Sequence, residues 1–239
     1  MAIIGIITMA VAVVIGGTTG TLLGGRLSKQ MVDKIMLFIG FANLGGAIAT
    51  IVAGKSPGPI AGAIIIGSII GEVIHLEDKI NWLLGKLENF LSTKVCPIPQ
   101  GDDYAKRREM LLVVAVILCA SGNGIYGAMM EGFNGDASPL FIKTFLDLFC
   151  SMVFASTLGY IVITLAVPQF IVYLAFFFLA RLIVPVCSEV MLADFKACGG
   201  VIMFATGIHV TGIKKVPIGN MLPALAVIMP LSYVWNLLF

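Results

Sequence analysis

"GIKKVPIGNMLPALA", residues 212–226, breaks an otherwise apolar carboxyl-terminal region with two lysines, two prolines, two glycines and an asparagine. Residues of these types end helices and open turns, so the stretch separates two apolar segments at about 195–213 and 218–238. It has a counterpart. Displacing the sequence by 160 residues pairs Ser28 with Ser188, Met31 with Met191, Gly40 with Gly200, Ile48 with Ile208, Lys55 with Lys215 and Pro57 with Pro217. The turn "GKSPGP", 54–59, then falls opposite "KKVPIGN", 214–220, each joining one apolar segment to the next.

Hydrophobic residues make up 59 % of the 239 and charged residues 12 %, against about a quarter charged in a soluble domain. Roughly 20 apolar residues make one helical crossing of a bilayer. Eight apolar segments are expected, at about 2–25, 35–53, 60–76, 110–130, 140–166, 169–187, 195–213 and 218–238, with Val167-Pro168-Gln169 separating the fifth from the sixth. The fold class is therefore all-α, a polytopic membrane helix bundle. Residues 1–76 form a first repeat, 77–108 an amphipathic helix and loop on the cytoplasmic side, 109–166 a central helix pair and 167–239 a second repeat. The first, second and third spans correspond to the sixth, seventh and eighth in opposite orientation, the inverted arrangement common in secondary transporters.

Orientation follows from Lys and Arg, which favour cytoplasmic loops. With the amino terminus outside, Arg26, Lys29, Lys34, Lys79, Lys86, Lys94, Lys106, Arg107, Arg108, Lys214 and Lys215 lie inside, and Lys55, Lys143, Arg181 and Lys196 lie outside. In "HLEDKINWLLGKLENFLSTK", 75–94, Ile80, Leu83, Leu84, Leu87, Phe90 and Leu91 recur at helical spacing among charges. That is an interfacial amphipathic helix or one packed beneath the bundle or on a partner. "CPIPQGDDYAKRRE", 96–109, reads as a loop. The five cysteines show no C-x-x-C spacing and read as small hydrophobes. The stripe Gly16, Gly20, Gly24 and the pair Gly67, Gly71 let helix backbones approach closely.

Polar groups inside apolar segments are costly and point to function by default. Asn43 in "GFANLGG" and Asn123 in "CASGNGIYG" sit between glycines that weaken the helix, and Asn220 with Pro223 in "GNMLPA" makes a third such point. The structural alternative for each is an interhelical hydrogen bond worth about 1–2 kcal/mol. Asp147 in "KTFLDLFCS" follows Lys143 by one turn, either as an ion pair at the outer mouth or as a gating or proton-linked carboxylate, and Arg181 is a further partner for it. His209 in "TGIHVTG" is a hydrogen-bonded helix residue or a pH-sensitive group. Asn43, Asn123, Asn220, Asp147 and His209 are the candidate substrate-binding residues. Amides supply donors and acceptors, which suits a polar or zwitterionic solute or a partly dehydrated cation.

No H-E-x-x-H, G-x-S-x-G or P-loop is present, so no enzyme activity, cofactor or metal is expected. The expected partners are the lipid bilayer and a small-molecule or ion substrate, with no nucleic acid; a homo-oligomer is compatible with the glycine faces. Three stretches, "GTLLGGRL" at 20–27, "GEVIHLEDKINWLLGKL" at 71–87 and "GIKKVPIGNMLPAL" at 212–225, carry a resemblance over almost the whole chain. The sequence resembles the YqgA/YdfK-like family of uncharacterised bacterial inner-membrane proteins, with G-N-x-L-P-A at 219–224 the most specific piece. The resemblance implies a multi-pass protein of the bacterial cytoplasmic membrane and names no substrate. A transporter or channel for a small polar solute or ion is the function expected, a membrane scaffold or accessory subunit the alternative.

Overall fold

Helices dominate because long apolar runs satisfy their backbone groups internally only in that form. The computed structural model describes residues 3–24, 29–90, 110–111, 114–115, 117–119, 121–183 and 188–238. The loop expected over 96–109 lies outside them. In chain order the helices are α1 (Ile4–Leu23), α2 (Lys29–Ile51), α3 (Pro57–Val73), α4 (Leu76–Phe90), α5 (Gly122–Asn134), α6 (Ser138–Leu158), α7 (Ile161–Thr164), α8 (Ala166–Ile183), α9 (Glu189–Val210), α10 (Ile218–Met221) and α11 (Ala224–Leu238). The described residues between 110 and 119 are also helical, and among the described residues there is no strand.

Six stretches are long and apolar enough to cross a membrane among the described residues: Ile4–Leu23, Lys34–Ile51, Ser138–Leu158, Ile161–Leu182, Glu189–Val210 and Ile218–Leu238. The bent pair Pro57–Val73 and Leu76–Leu83, at 60°, makes a seventh if counted as one span. Large apolar side chains such as Leu22, Phe38, Phe145, Val167 and Leu182 stand exposed on the outside, so these helices carry exposed apolar faces.

The bundle is assembled from close helix pairs. α1 runs along α6, where a Cβ on Gly16 or Gly20 would collide with the carbonyl oxygens of Leu148 and Met152. α2 crosses α9 at Gly40 and Gly207, and at Ala47 and Gly200. α3 lies against α10 and α11 through Gly67 on Ala224 and Gly71 on Asn220. α5 meets α8 where Gly132 faces the Phe177 carbonyl. Between these pairs lies a core around Met9, Tyr126, Met130, Phe177, Phe195 and Ile202. A second cluster forms around Val13, Leu118, Ala155, Ile161 and Leu165.

The turns at 54–59 and 214–220 sit at opposite ends of the α2–α9 crossing, and each is held by a carboxylate from another part of the chain. Asp194 of α9, fully buried, accepts from Lys55 N at 2.9 Å and Ser56 N at 2.8 Å, and from Ser232 Oγ at 2.6 Å. It thereby satisfies backbone donors ahead of α3, which begins at Pro57. At the other turn Glu77 Oε2 accepts from Gly219 N at 3.0 Å, Glu77 N donates to Asn220 Oδ1 at 2.8 Å, and Asn220 Nδ2 donates to Glu72 Oε2 at 2.7 Å. Burial pushes the Glu77 carboxyl above its ordinary value, with the Gly219 N–H pulling it back.

Three segment boundaries differ from the sequence expectation. The fifth segment ends at Leu158, not at Val167-Pro168-Gln169, because Gly159 takes φ +80°, a left-handed conformation suited to glycine. Pro168 instead falls in the first turn of α8, where its missing N–H costs little. The fourth segment is broken at Ser121, whose backbone is extended, while α2 continues through Asn43 without interruption. The eighth is split at Leu222-Pro223 into α10 and α11.

Candidate functional site

Among the described residues, three carboxylates are buried to 1 % exposure or less: Glu131, Asp147 and Asp194. Two are committed to backbone donors. Glu131 accepts from Gly5 N at 2.7 Å and Ile6 N at 3.3 Å at the start of α1, and Asp194 holds the 55–56 turn. A carboxylate suits such a helix N-terminus because it meets free N–H groups and the positive end of the helix dipole. Asp147 is different. Its partners are side chains: Lys143 Nζ at 2.6 Å to Oδ1 and Gln169 Nε2 at 2.6 Å to Oδ2.

Both charges of the Lys143–Asp147 pair are withdrawn from solvent, at 3 % and 2 % side-chain exposure. An ion pair this deep offsets a large desolvation cost with its own attraction and hydrogen bonds. Around it, Asn43 from α2 donates through Nδ2 to Met203 O of α9 at 2.9 Å, and Asn123 Nδ2 of α5 donates to Asn43 Oδ1 at 3.1 Å. The order of this chain is fixed at its end. A backbone carbonyl only accepts, so Asn43 must turn its NH₂ to Met203, its oxygen meets the Asn123 NH₂, and Asn123 Oδ1 is left over. Among the described residues, that oxygen and Gln169 Oε1 are buried without a hydrogen-bond partner. Tyr173 of α8 donates to Leu118 O and lies beside Lys143, its ring 6.0 Å from Nζ.

Asn43, Ser121, Asn123, Lys143, Asp147 and Thr206 share the wall of one cavity of about 30 Å³. Four helices and the break at Ser121 thus converge on it. A space of this size admits a small ion or a few water molecules.

A model described as "Protein of unknown function (DUF554)" matches residues 4–233. The chain belongs to the DUF554 family. It is 38 % identical over 239 residues to the uncharacterized protein YqgA of Escherichia coli (strain K12), covering 99 % of each chain. The uncharacterized membrane protein YdfK of Bacillus subtilis (strain 168) is 24 % identical over 216 residues, 87 % of this chain and 88 % of that protein. No solved structure matches.

In this DUF554 chain, three of the five candidates from sequence, Asn43, Asn123 and Asp147, come together at the cavity. Asn220 does not: it binds Glu72 and Glu77 at the α3–α4 junction. Nor does His209, whose Nδ1 lies 3.0 Å from Val216 O and 3.2 Å from Val216 N, closing the turn after α9. Asp147 is the tenth of 21 residues in α6, so it is a mid-helix charge. Its second partner is Gln169, while Arg181 lies 5.8 Å over the Phe177 ring. Gln169, Tyr173, Ser121, Thr206, Glu131 and Asp194 escaped the sequence reading; the two acids interrupt apolar runs, and that was their available signal.

Proposed function

We propose that this chain is a multi-pass transporter or channel of the bacterial inner membrane, that its substrate is a small ion, and that the substrate site is the cavity at Lys143 and Asp147. The observation that carries the reading is a mid-helix ion pair beside an open amide oxygen in a cavity of about 30 Å³. Intramembrane charges are retained at a cost where they serve a pathway. The buried ion pair and the unpartnered amide oxygen favour an ion among the expected solutes.

Eight spans are proposed: the six described above, α3 with its 17 residues, within the workable range for a crossing, and the segment from 110 to 134 bent at Ser121. An inverted repeat is proposed between 1–76 and 167–239. It is supported by the reciprocal crossing of α2 and α9, where Gly40 faces Gly207 and Gly200 faces Ala47, positions exchanged by the 160-residue displacement. The reciprocal carboxylate anchoring of the two turns supports it too. α4 is proposed to lie on the inner interface, with Leu83 and Trp82 exposed and Lys86 stacked 3.8 Å from the Trp82 ring. In this orientation a cysteine at Asn134 reacts with an impermeant reagent from outside and one at Lys79 does not. The reverse pattern would invert the topology.

The binding residues are tested by thermal unfolding of purified protein screened against salts, amino acids, organic acids and polyamines, since a ligand of the native state raises its stability. A small ion is expected to stabilise the wild type. Asn43→Leu or Asn123→Leu should abolish that response while the protein still inserts and purifies. If both variants fail to fold, the amides are interhelical glue; if both keep the response, the site lies elsewhere. The close glycine packing favours the scaffold reading instead, and that reading gains if no ligand stabilises the wild type.

A further inference from the structure

We infer that α4 is an acid-tightened latch on the 214–220 turn: it docks there through Glu77 and swings free about His75 when that side chain is charged. The joint is visible in the backbone. α3 and α4 meet at 60°. Between them His75 is, among the described residues, the one non-glycine residue at positive φ, +50°, a left-handed conformation that disfavours a side chain. The dock holds this bend. Glu77 Oε2 accepts from Gly219 N, and Glu77 N donates to Asn220 Oδ1. The approach is close, since a Cβ on Gly219 would stand 3.0 Å from Glu77 Cα. The turn at 54–59 is fastened more firmly. There Asp194 is fully buried and takes three donors, Lys55 N, Ser56 N and Ser232 Oγ. Glu77 is only half-buried, and its carboxylate takes one backbone N–H.

The surroundings of Glu77 set the direction of the response. Swung free, its carboxylate is solvated. Docked, it loses part of that water and faces like charges on Glu72 of α3 and Asp78 of its own helix. Among the described residues no lysine or arginine pairs with it. Docking a charged Glu77 is therefore costly, whereas a neutral carboxyl still offers Gly219 N a carbonyl oxygen. Burial raises the docked carboxyl above its ordinary value of 4.5; the Gly219 N–H and His209 of α9 lower it, and Asp78 and Glu72 raise it. The net direction is upward, so docking takes up protons. The latch is tightest below the ordinary carboxyl value and loosens as pH rises through the docked one. The remaining charged groups at the joint point elsewhere. His75 lies 3.7 Å from Asp78, His209 Nδ1 is held by Val216, and Lys79, Lys214 and Lys215 stand exposed.

The test measures the α4–turn distance in the full chain, in lipid nanodiscs, by double electron–electron resonance. Spin labels are attached at Asn81→Cys on α4 and Ile213→Cys on the turn, both exposed, with the five native cysteines replaced by alanine. One short distance near pH 4 should give way to a second, longer population by about pH 8. The ratio of docked to released should change by up to ~10-fold per pH unit, the limit for one linked proton. Glu77→Gln keeps the accepting oxygen without the charge and should stay docked throughout. Gly219→Ala, which crowds Glu77, should favour the longer distance at every pH. A wild-type distribution that ignores pH, or release on acidification, overturns the latch. So does a pH response that survives in Glu77→Gln, which would assign the titration to His75 or His209. If Glu77→Gln does not purify, Gly219→Ala decides with the wild type: distances equal to wild type at every pH contradict the dock. No transported ion enters this assay, so its failure leaves the cavity at Lys143 and Asp147 to its own test.

Discussion

Lys143→Met should lower stability by about 3–5 kcal/mol, the cost of leaving one member of a buried pair uncompensated. Asp147 would keep Gln169 as its hydrogen-bond donor but lose the charge that justifies a carboxylate at 1 % exposure. The double variant Lys143→Met/Asp147→Leu removes both charges and should recover most of the loss, since replacing a whole buried pair by apolar residues is often neutral or better. Thermal unfolding of the wild type, both single variants and the double closes a mutant cycle. A coupling near zero would mean that the two side chains do not meet. The same cycle separates stability from function: the double variant should be well folded and bind no ion.

Gly20→Ala carries the second large effect. The added methyl has no space, because it would collide with the Met152 carbonyl oxygen of α6, and a backbone atom cannot rotate aside as a side chain does. α1 must then separate from α6 along the Gly16–Gly20 face, and overpacking of this kind costs about 1–3 kcal/mol or more. Gly45→Ala is the matched control, since nothing lies within 4 Å of its Cβ position. There the change should be neutral or stabilising by up to about 1 kcal/mol through helix propensity. Equal effects at the two positions would contradict the packing described for α1 and α6.

What could be read from sequence divides along physical lines. Lys143 and Asp147 were paired correctly because i and i+4 share a helix face whatever the fold. The glycine stripes were legible because close approach has few other solutions. Asn43 and Asn123 carried only the cost of a buried amide; their meeting depends on α2 and α5 packing side by side, which no local pattern encodes. Gln169 was hidden by its neighbour, since Pro168 read as a turn whereas Gly159 ends the helix. Glu131 and Asp194 bind backbone groups 126 and 138 residues away, so their role appears only once the chain is folded. Asn220 reads as a site residue because it is polar and stands just before Pro223, and its amide instead anchors α10 to α4.

The most direct test of the account is tracer flux of radiolabelled sodium, rubidium and chloride into vesicles carrying the purified protein, with Asp147→Asn as the matched variant. The prediction is uptake of at least one of these ions well above that of protein-free vesicles, falling to their level in Asp147→Asn. Wild-type vesicles that take up all three ions no faster than protein-free ones would contradict it.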